Sequence, residues 1–408
     1  MCPVPTSPRI ALGLLAVTLS LSVGTVAPAL AASVSEPAAP EPEARGDSTG
    51  TDKSKGSKFL DPEDGWFDIS AFLNTPGGFV PIVVPVTEPA VGYGAAGALV
   101  FIKKNEPLAS GGYRKPNILA VGGMGTEDGS WAGFGAHTGS WLDDRLQTVV
   151  AGVYGSLDLD FFGIGEGSLN ERPVGYDLEP AGGVVQAKYR IGSTPAQVGF
   201  GYGLVAFQAT FEPRDVPPEG ISGKETDSRV GGVLPAFVYD NRDNMFTPLR
   251  GFYLSAESGI FREWLGSSTD FERVRLLAIA YRPVTSRLFL GARGTVASSF
   301  GNAPFYARPY ISLRGAPVMA YLGESAGSLE LEARWQLWKR FSAVGFVGGG
   351  SAWNEFDEFE SHRDITTGGG GIRYEIARQF GLHMGLDVAW GPNEPALYVV
   401  FGNPWFRP

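Results

Sequence analysis

The chain has 408 residues, a formal charge of −10 and 43% hydrophobic residues, and this acidic balance excludes nucleic-acid binding, which needs a basic face. Beyond the N-terminus there is no run of about 18 apolar residues, so helical membrane spans are excluded. The 57 glycines and 12% aromatic residues fit strands that hide their hydrophobicity in alternation.

Arg9, the apolar run 10–21 and Ala29-Leu30-Ala31 before Ala32 form the charged, apolar and small-residue pattern of a secretory signal peptide, predicted to occupy residues 1–31. Cys2 precedes the apolar run and lies in the segment expected to be removed, which leaves neither lipidation, disulfide nor thiol chemistry. Residues 32–60 form the next segment. From 33 to 58 they are mostly Ala, Pro, Glu, Gly, Ser and Lys, with Val34 the one large apolar side chain. Such a stretch buries too little surface to offset its ordering entropy and reads as a disordered tail. Residues 61–408 are then expected to form one all-β domain.

The stretch 66–88 is apolar but broken by Pro76, Pro81 and Pro85, and reads as an edge or mouth segment. A first strand is predicted over 90–103, where Gly92, Gly94 and Gly97 thin the packing. Further strands follow over 117–123, 129–141, 146–157 and 184–191, with loops at 173–183 and 213–227. In 184–191, Gln186, Lys188 and Arg190 alternate with Val185, Ala187, Tyr189 and Ile191.

Asp240, Arg242 and Asp243, then Pro248 and Gly251, make a rigid charged turn before a strand over 252–261. Later strands are expected over 271–282, 287–300, 329–339, 343–353, 366–377, 381–390 and 397–401. In 381–390, Leu382, Met384, Leu386, Val388 and Trp390 alternate with His383, Gly385 and Asp387.

The stretch 311–340 organises the rest. Leu329, Leu331, Ala333, Trp335 and Leu337 share one face, and Glu330, Glu332, Arg334 and Gln336 the other, which suits a strand between lipid and a wet lumen. Upstream, Leu313-Arg314-Gly315 puts a cation on a glycine-flanked loop; folded back, Arg314 reaches Glu330 or Glu332 in a shielded pair.

These features resemble the barrel domain of the BamA/TamA-type outer-membrane proteins, the bacterial surface antigen family. There a long extracellular loop enters the lumen with a Val-Arg-Gly-aromatic tip held by acidic residues. Here the tip reads Leu313-Arg314-Gly315-Ala316, keeping Arg-Gly and losing the aromatic, and Glu332-Ala333-Arg334 matches the Glu-x-Arg strand. The family's following Phe-x-Asp-x-Gly strand reads Phe346-Val347-Gly348-Gly349-Gly350, which predicts a clamp without its second carboxylate. The Asp240, Arg242 and Asp243 element and the aromatic-Gly-x-Gly at 161–165 match as well.

The resemblance implies a transmembrane antiparallel β-barrel of sixteen strands with an inward-folded extracellular loop. It covers the barrel alone, since 32–60 has no room for a periplasmic POTRA module. Expected partners are outer-membrane lipids and lipopolysaccharide, with a separate periplasmic protein in place of POTRA modules, and no nucleic acid. The implied role is insertion or transport of protein or lipid across the outer membrane, through a weak seam between first and last strands. The alternative is a porin-like channel or structural barrel, for which lumen charges such as Lys188, Arg190, Arg273, Arg275, Glu330 and Arg334 suffice. Trp405-Phe406 supplies the near-terminal aromatic that such barrels present to assembly machinery.

No enzyme is expected. The Gly-x-Ser-x-Gly matches at 46–50 and 323–327 lack the strand-turn-helix context of a nucleophile elbow, and His137, His362 and His383 are far apart in sequence. Gly368 to Gly371 lack the lysine and helix of a phosphate loop. Glu355, Asp357, Glu358, Glu360 and Asp364 read as a solvated loop, with divalent cation binding as the sharper alternative. No cofactor or resident metal is implied.

Overall fold

The structure, a computed structural model, describes residues 59–73, 75, 79–88, 92–103, 117–161, 174–211, 227–244, 246–317, 319–354, 362–392 and 395–405. The expectations for the signal peptide, most of the tail, Pro76, the 46–50 match, positions 162–165, the 213–226 loop, Glu355, Asp357, Glu358, Glu360 and Phe406 lie outside these residues.

Seventeen strand segments follow in chain order: β1 (Phe79–Glu88), β2 (Gly92–Lys103), β3 (Asn117–Thr126), β4 (Trp131–Trp141), β5 (Leu146–Phe161), β6 (Val174–Arg190), β7 (Ala196–Phe211), β8 (Asp227–Val233), β9 (Ala236–Asp240), β10 (Gly251–Phe261), β11 (Phe271–Pro283), β12 (Leu288–Gly301), β13 (Ser325–Trp338), β14 (Phe341–Trp353), β15 (His362–Ala377), β16 (Leu382–Trp390) and β17 (Ala396–Phe401). The segments β8 and β9 both pair with β7 on one side and β10 on the other, so they are one strand interrupted at Leu234-Pro235. Proline has no N–H to give the ladder, but its carbonyl still accepts from the Ser258 N–H at 3.0 Å. Sixteen antiparallel strands result, each hydrogen-bonded to the next, and β1 lies beside β17.

Alternation decides the faces. On β13, Leu329, Leu331, Trp335 and Leu337 are exposed on the outside, while Glu330 is 1% and Arg334 7% exposed on the inside. That is the reverse of a soluble sheet: the apolar face meets lipid and the charged face is enclosed. Among the described residues no helix is long and apolar enough to cross a membrane.

Four sequence expectations need correction. The proline-broken stretch contains a strand, β1, whose ten-residue ladder with β2 runs through Pro81 and Pro85. A proline fits there only with its missing N–H turned away from the ladder, which on β1 is the side of the seam with β17. The expected loop at 173–183 is mostly strand, since β6 starts at Val174. Strand β7 escapes the alternation test because its inner face is apolar too: Val205, Phe207, Ala209 and Phe211 are buried. Finally, Leu382, at the start of β16, is buried, not lipid-facing, because it packs into a cluster with Phe246, Ala377 and Phe380.

The outward set on β13 makes a direct prediction. Leu331→Arg, near mid-strand, should destabilise the barrel by about 2–4 kcal/mol in urea titrations of refolding into lipid vesicles. Equal stability of this variant and the parent would place Leu331 away from lipid.

Candidate functional site: a clamped loop and a closed floor

The connection from β12 to β13 dips into the lumen because both of its halves carry apolar side chains that the inner wall can bury. Phe305, Ala307 and Leu322 pack with Phe207, Phe211, Phe261 and Phe271 of the β7–β11 side, and Phe207 meets Tyr306 at 4.5 Å between ring centroids. Ile311, Leu313 and Ala316 pack with Ala326, Ala352 and Ile365 of the opposite wall. The apolar inner face of β7 is thus the loop's seat. Between these contacts lies the tip.

At the tip, Gly315 adopts φ +89°, and a Cβ there would lie 3.0 Å from the Trp390 carbonyl oxygen, so both conformation and space demand glycine. Its N–H donates to the Tyr398 hydroxyl at 2.8 Å. Arg314, 2% exposed, donates through Nε and Nη2 to Glu330 Oε1 at 2.9 and 2.6 Å, and through its own N–H to Glu330 Oε2 at 3.3 Å. Glu332 lies 2.7 Å from Nη2, and Nη1 donates to Asp387 Oδ2 at 2.9 Å. The guanidinium also lies over the Phe346 ring, 3.5 Å from its centroid. Three carboxylates and an aromatic face therefore hold one cation, a charge-assisted network with most of its bonds sheltered from water.

The expectation of a missing second carboxylate is overturned. Gly348 stands directly across the ladder from Glu330, and a side chain there would press to 2.9 Å from Leu313 at the loop tip. The carboxylate comes instead from Asp387, two strands further round, 0% exposed and also held by both terminal nitrogens of Arg373. Gly371, across the ladder from Asp387, makes room for it: a Cβ there would overlap Asp387 Oδ1. Asp387 already sits on the inward parity of a strand whose odd positions are otherwise small or polar, and that was the available signal. Tyr398 and Arg373 gave none.

A second construction closes the rim at which β1 begins and β17 ends. Asp240 chelates Arg242 through bonds of 2.7 and 2.9 Å, the Asp243 carboxylate accepts the Leu249 and Arg250 N–H groups, and Gly251 turns at φ +112°. The turn so stiffened delivers Phe246 into a cluster with Phe380, Leu382 and Ala377 on one side of the seam, and Val100, Ile118 and Ala120 on the other. Asn244 fixes it by donating to the Phe380 carbonyl at 2.9 Å. Pro248 lines a small cavity just behind.

Two chain segments join this floor. Residues 59–73 cross it with Ile69 and Leu73 against the same cluster. They are pinned at the β13–β14 turn, where Arg340 binds Asp61, Asp64 and Asp68 at 2.5, 2.8 and 2.7 Å. Trp66 lies against Trp338 and Phe341 with ring centroids at 5.2 and 6.0 Å. From the other end, Trp405 turns into the lumen, 3% exposed, stacks near Tyr281 at 5.4 Å and donates its indole N–H to Glu330. The expected terminal aromatic signal is thus in part an internal wedge, bonded to the same carboxylate as the loop tip.

The Arg340 latch has a pH signature. The Arg340 hydrogen bond holds Asp64 below its usual range. Burial pushes Asp68 up, but bonds from Ser70, the Arg378 N–H and Arg340 outweigh it and hold it low as well. A depressed carboxyl stabilises the folded state above its unfolded value of about 3.9, and that contribution is lost as pH falls through the lower folded value. The Ile69 N–H, bonded to the Ile376 carbonyl at 2.9 Å, should therefore stay protected from hydrogen exchange at pH 5 and lose protection below about pH 4, after correction for intrinsic rates. Protection unchanged down to pH 2 would show that the aspartates do not hold the segment.

No protein-family model matches the sequence, and no curated protein resembles it in sequence. Solved structures do resemble it in fold. BamA from Haemophilus ducreyi lacking POTRA domains 1–3 superposes with a TM-score of 0.50 at 14% identity, over 85% of this chain and 79% of that one. CdiB from Escherichia coli gives a TM-score of 0.54 at 11% identity, over 83% and 72% of the two chains. CdiB from Acinetobacter baumannii gives 0.52 at 11%, over 78% and 56%. The chain has the sixteen-stranded fold of a BamA/TamA-type outer-membrane barrel.

Proposed function

We propose that this protein is an exported outer-membrane barrel of the BamA/TamA type that helps insert or move protein or lipid across the outer membrane, working with a separate periplasmic partner. The single observation that carries the reading is the loop tip: Arg314 is fixed to Glu330, Glu332 and Asp387 deep in the lumen. The segment that carries this tip packs on both walls of the lumen and so narrows any passage through it. On this reading 1–31 is a cleaved signal peptide, 32–60 a periplasmic tail, and the 59–73 segment lies on the periplasmic rim. The contact between β1 and β17 forms no continuous ladder among the described residues, and Pro81 and Pro85 supply no N–H to that edge, so the seam is the site of lateral opening. The floor cluster holds both sides of that seam together, and a partner acting from the periplasm has Arg340 and its three aspartates within reach.

The rival porin-like reading predicts a steady open pore. In planar bilayers the refolded wild type should be mostly closed, and Arg314→Ala should leak and lose about 3–5 kcal/mol of stability, because Glu330 remains buried without the cation bonded to it while Asp387 keeps only Arg373. A wild type that conducts steadily, with Arg314→Ala indistinguishable from it, would favour the passive channel.

A further inference from the structure

The outer face of the barrel carries an aromatic edge at the rim where β13 ends. Trp335 of β13 and Ile372 of β15 are exposed to lipid, and both pair with Ala343 of β14. Two residues nearer the rim on the same parity, Phe341 pairs with Tyr374, and the exposed Trp338 stands across from Phe341. Trp338, Phe341 and Tyr374 are thus the rim end of the lipid-facing wall, where amphipathic rings sit at headgroup level.

Residues 59–68 attach to this edge from outside. They form a short hairpin in which Leu60 bridges to Phe67, and the Asp68 N–H donates to the Phe59 carbonyl at 3.0 Å. The Trp66 ring meets Trp338 and Phe341 edge-on and lies 6.5 Å from Tyr374, whose hydroxyl donates to the Phe67 carbonyl at 2.8 Å. All four carboxylates of the hairpin are taken up by cations of the barrel: Asp61, Asp64 and Asp68 by Arg340, and Glu63 by Arg378 at 2.8 Å.

What the hairpin leaves uncovered is apolar. Phe59, Leu60 and Phe67 are 44, 49 and 48% exposed, and Phe59 stacks on Phe67 at 6.4 Å and meets Phe72 at 5.5 Å between ring centroids. This patch is continuous with the lipid-facing edge through Trp66, and its charges are already neutralised, so a membrane covers it at less cost than water does. A cation stands beside it. Lys339 Nζ is 5.0 Å from the Trp66 ring centroid and 5.1 Å from that of Trp338, with no carboxylate partner among the described residues. Such a lysine lays its stem on the rings and keeps its charge at headgroup level.

We propose that the 59–68 hairpin docks on the phospholipid leaflet at this rim. Phe59, Leu60 and Phe67 enter the boundary between headgroups and hydrocarbon, Trp66 extends the aromatic edge, and Lys339 faces a headgroup phosphate. The bilayer then holds 59–73 on the floor from outside, as the Arg340 latch holds it at the rim.

The test places a fluorescent label on the hairpin of the full chain, refolded into phosphatidylcholine vesicles. The one cysteine is Cys2, so Phe67→Cys in a Cys2→Ser background gives a single labelling position. Its emission should be quenched by a nitroxide carried near the lipid headgroup and shielded from iodide in the water, whereas the same label at Glu63→Cys, on the charged turn, should show the reverse. Trp66→Ala, which removes the ring that joins hairpin to edge, should lose most of the nitroxide quenching at Phe67→Cys while the barrel keeps its heat-modified gel shift. Leu60→Cys, across the hairpin bridge, decides the matter if Phe67→Cys does not refold. A label at these positions that is open to iodide and untouched by the lipid nitroxide would overturn the docking and leave the patch to a soluble protein partner.

Discussion

The structure depends on how one buried carboxylate is shared. Glu330 accepts from the Arg314 side chain, from the Arg314 backbone N–H, and from the Trp405 indole, so a single side chain on β13 joins the lumen loop to the C-terminal segment. In an enclosed lumen such a group must be satisfied, and its partners must therefore stay. Much else follows as accommodation of this contact. Gly315 lets the backbone approach β16, Gly348 leaves room for Leu313, and Gly371 leaves room for Asp387. The abundance of glycine in the chain is partly the space required by a loop inside a barrel.

Opening the seam between β1 and β17 is opposed from two levels. The loop tip binds β13, β16 and β17 from within, through Glu330, Asp387 and Tyr398. Below it, the floor cluster takes side chains from β2 and β3 on one side and from β15 to β17 on the other. The 59–73 segment and the stiff turn that carries Phe246 complete this layer. Both levels meet around the small cavity behind Pro248, which lies between the clamp and the floor turn.

The sequence made the barrel legible wherever one face was polar. Strand β13 reads directly, with Glu330 and Arg334 inward and Leu331 and Trp335 outward, and so does the inward Asp387 of β16. It failed where the lumen is filled by protein. The inner face of β7 is apolar because it packs against Phe305 and Tyr306, so no alternation marks it as a strand. The cluster that draws Leu382 inward is built from residues far apart in sequence and leaves no local mark. Within the site, Arg314, Glu330 and Glu332 stood out because charge is rare on such strands. The role of Asp387 did not, since the position where the family carries an Asp is three-dimensionally replaced from two strands away. A substitution at Gly348 was readable, whereas its compensation depended on which strands face one another.

The central claim is that Asp387 has taken over part of the clamp on Arg314. A double-mutant cycle of Arg314→Ala and Asp387→Asn, read by urea unfolding of the refolded barrel, measures it most directly. The account predicts that the two losses are not additive, with a coupling energy of about 0.5–3 kcal/mol. Losses that simply add would show that Arg314 and Asp387 act apart, and would return the clamp to Glu330 and Glu332 alone.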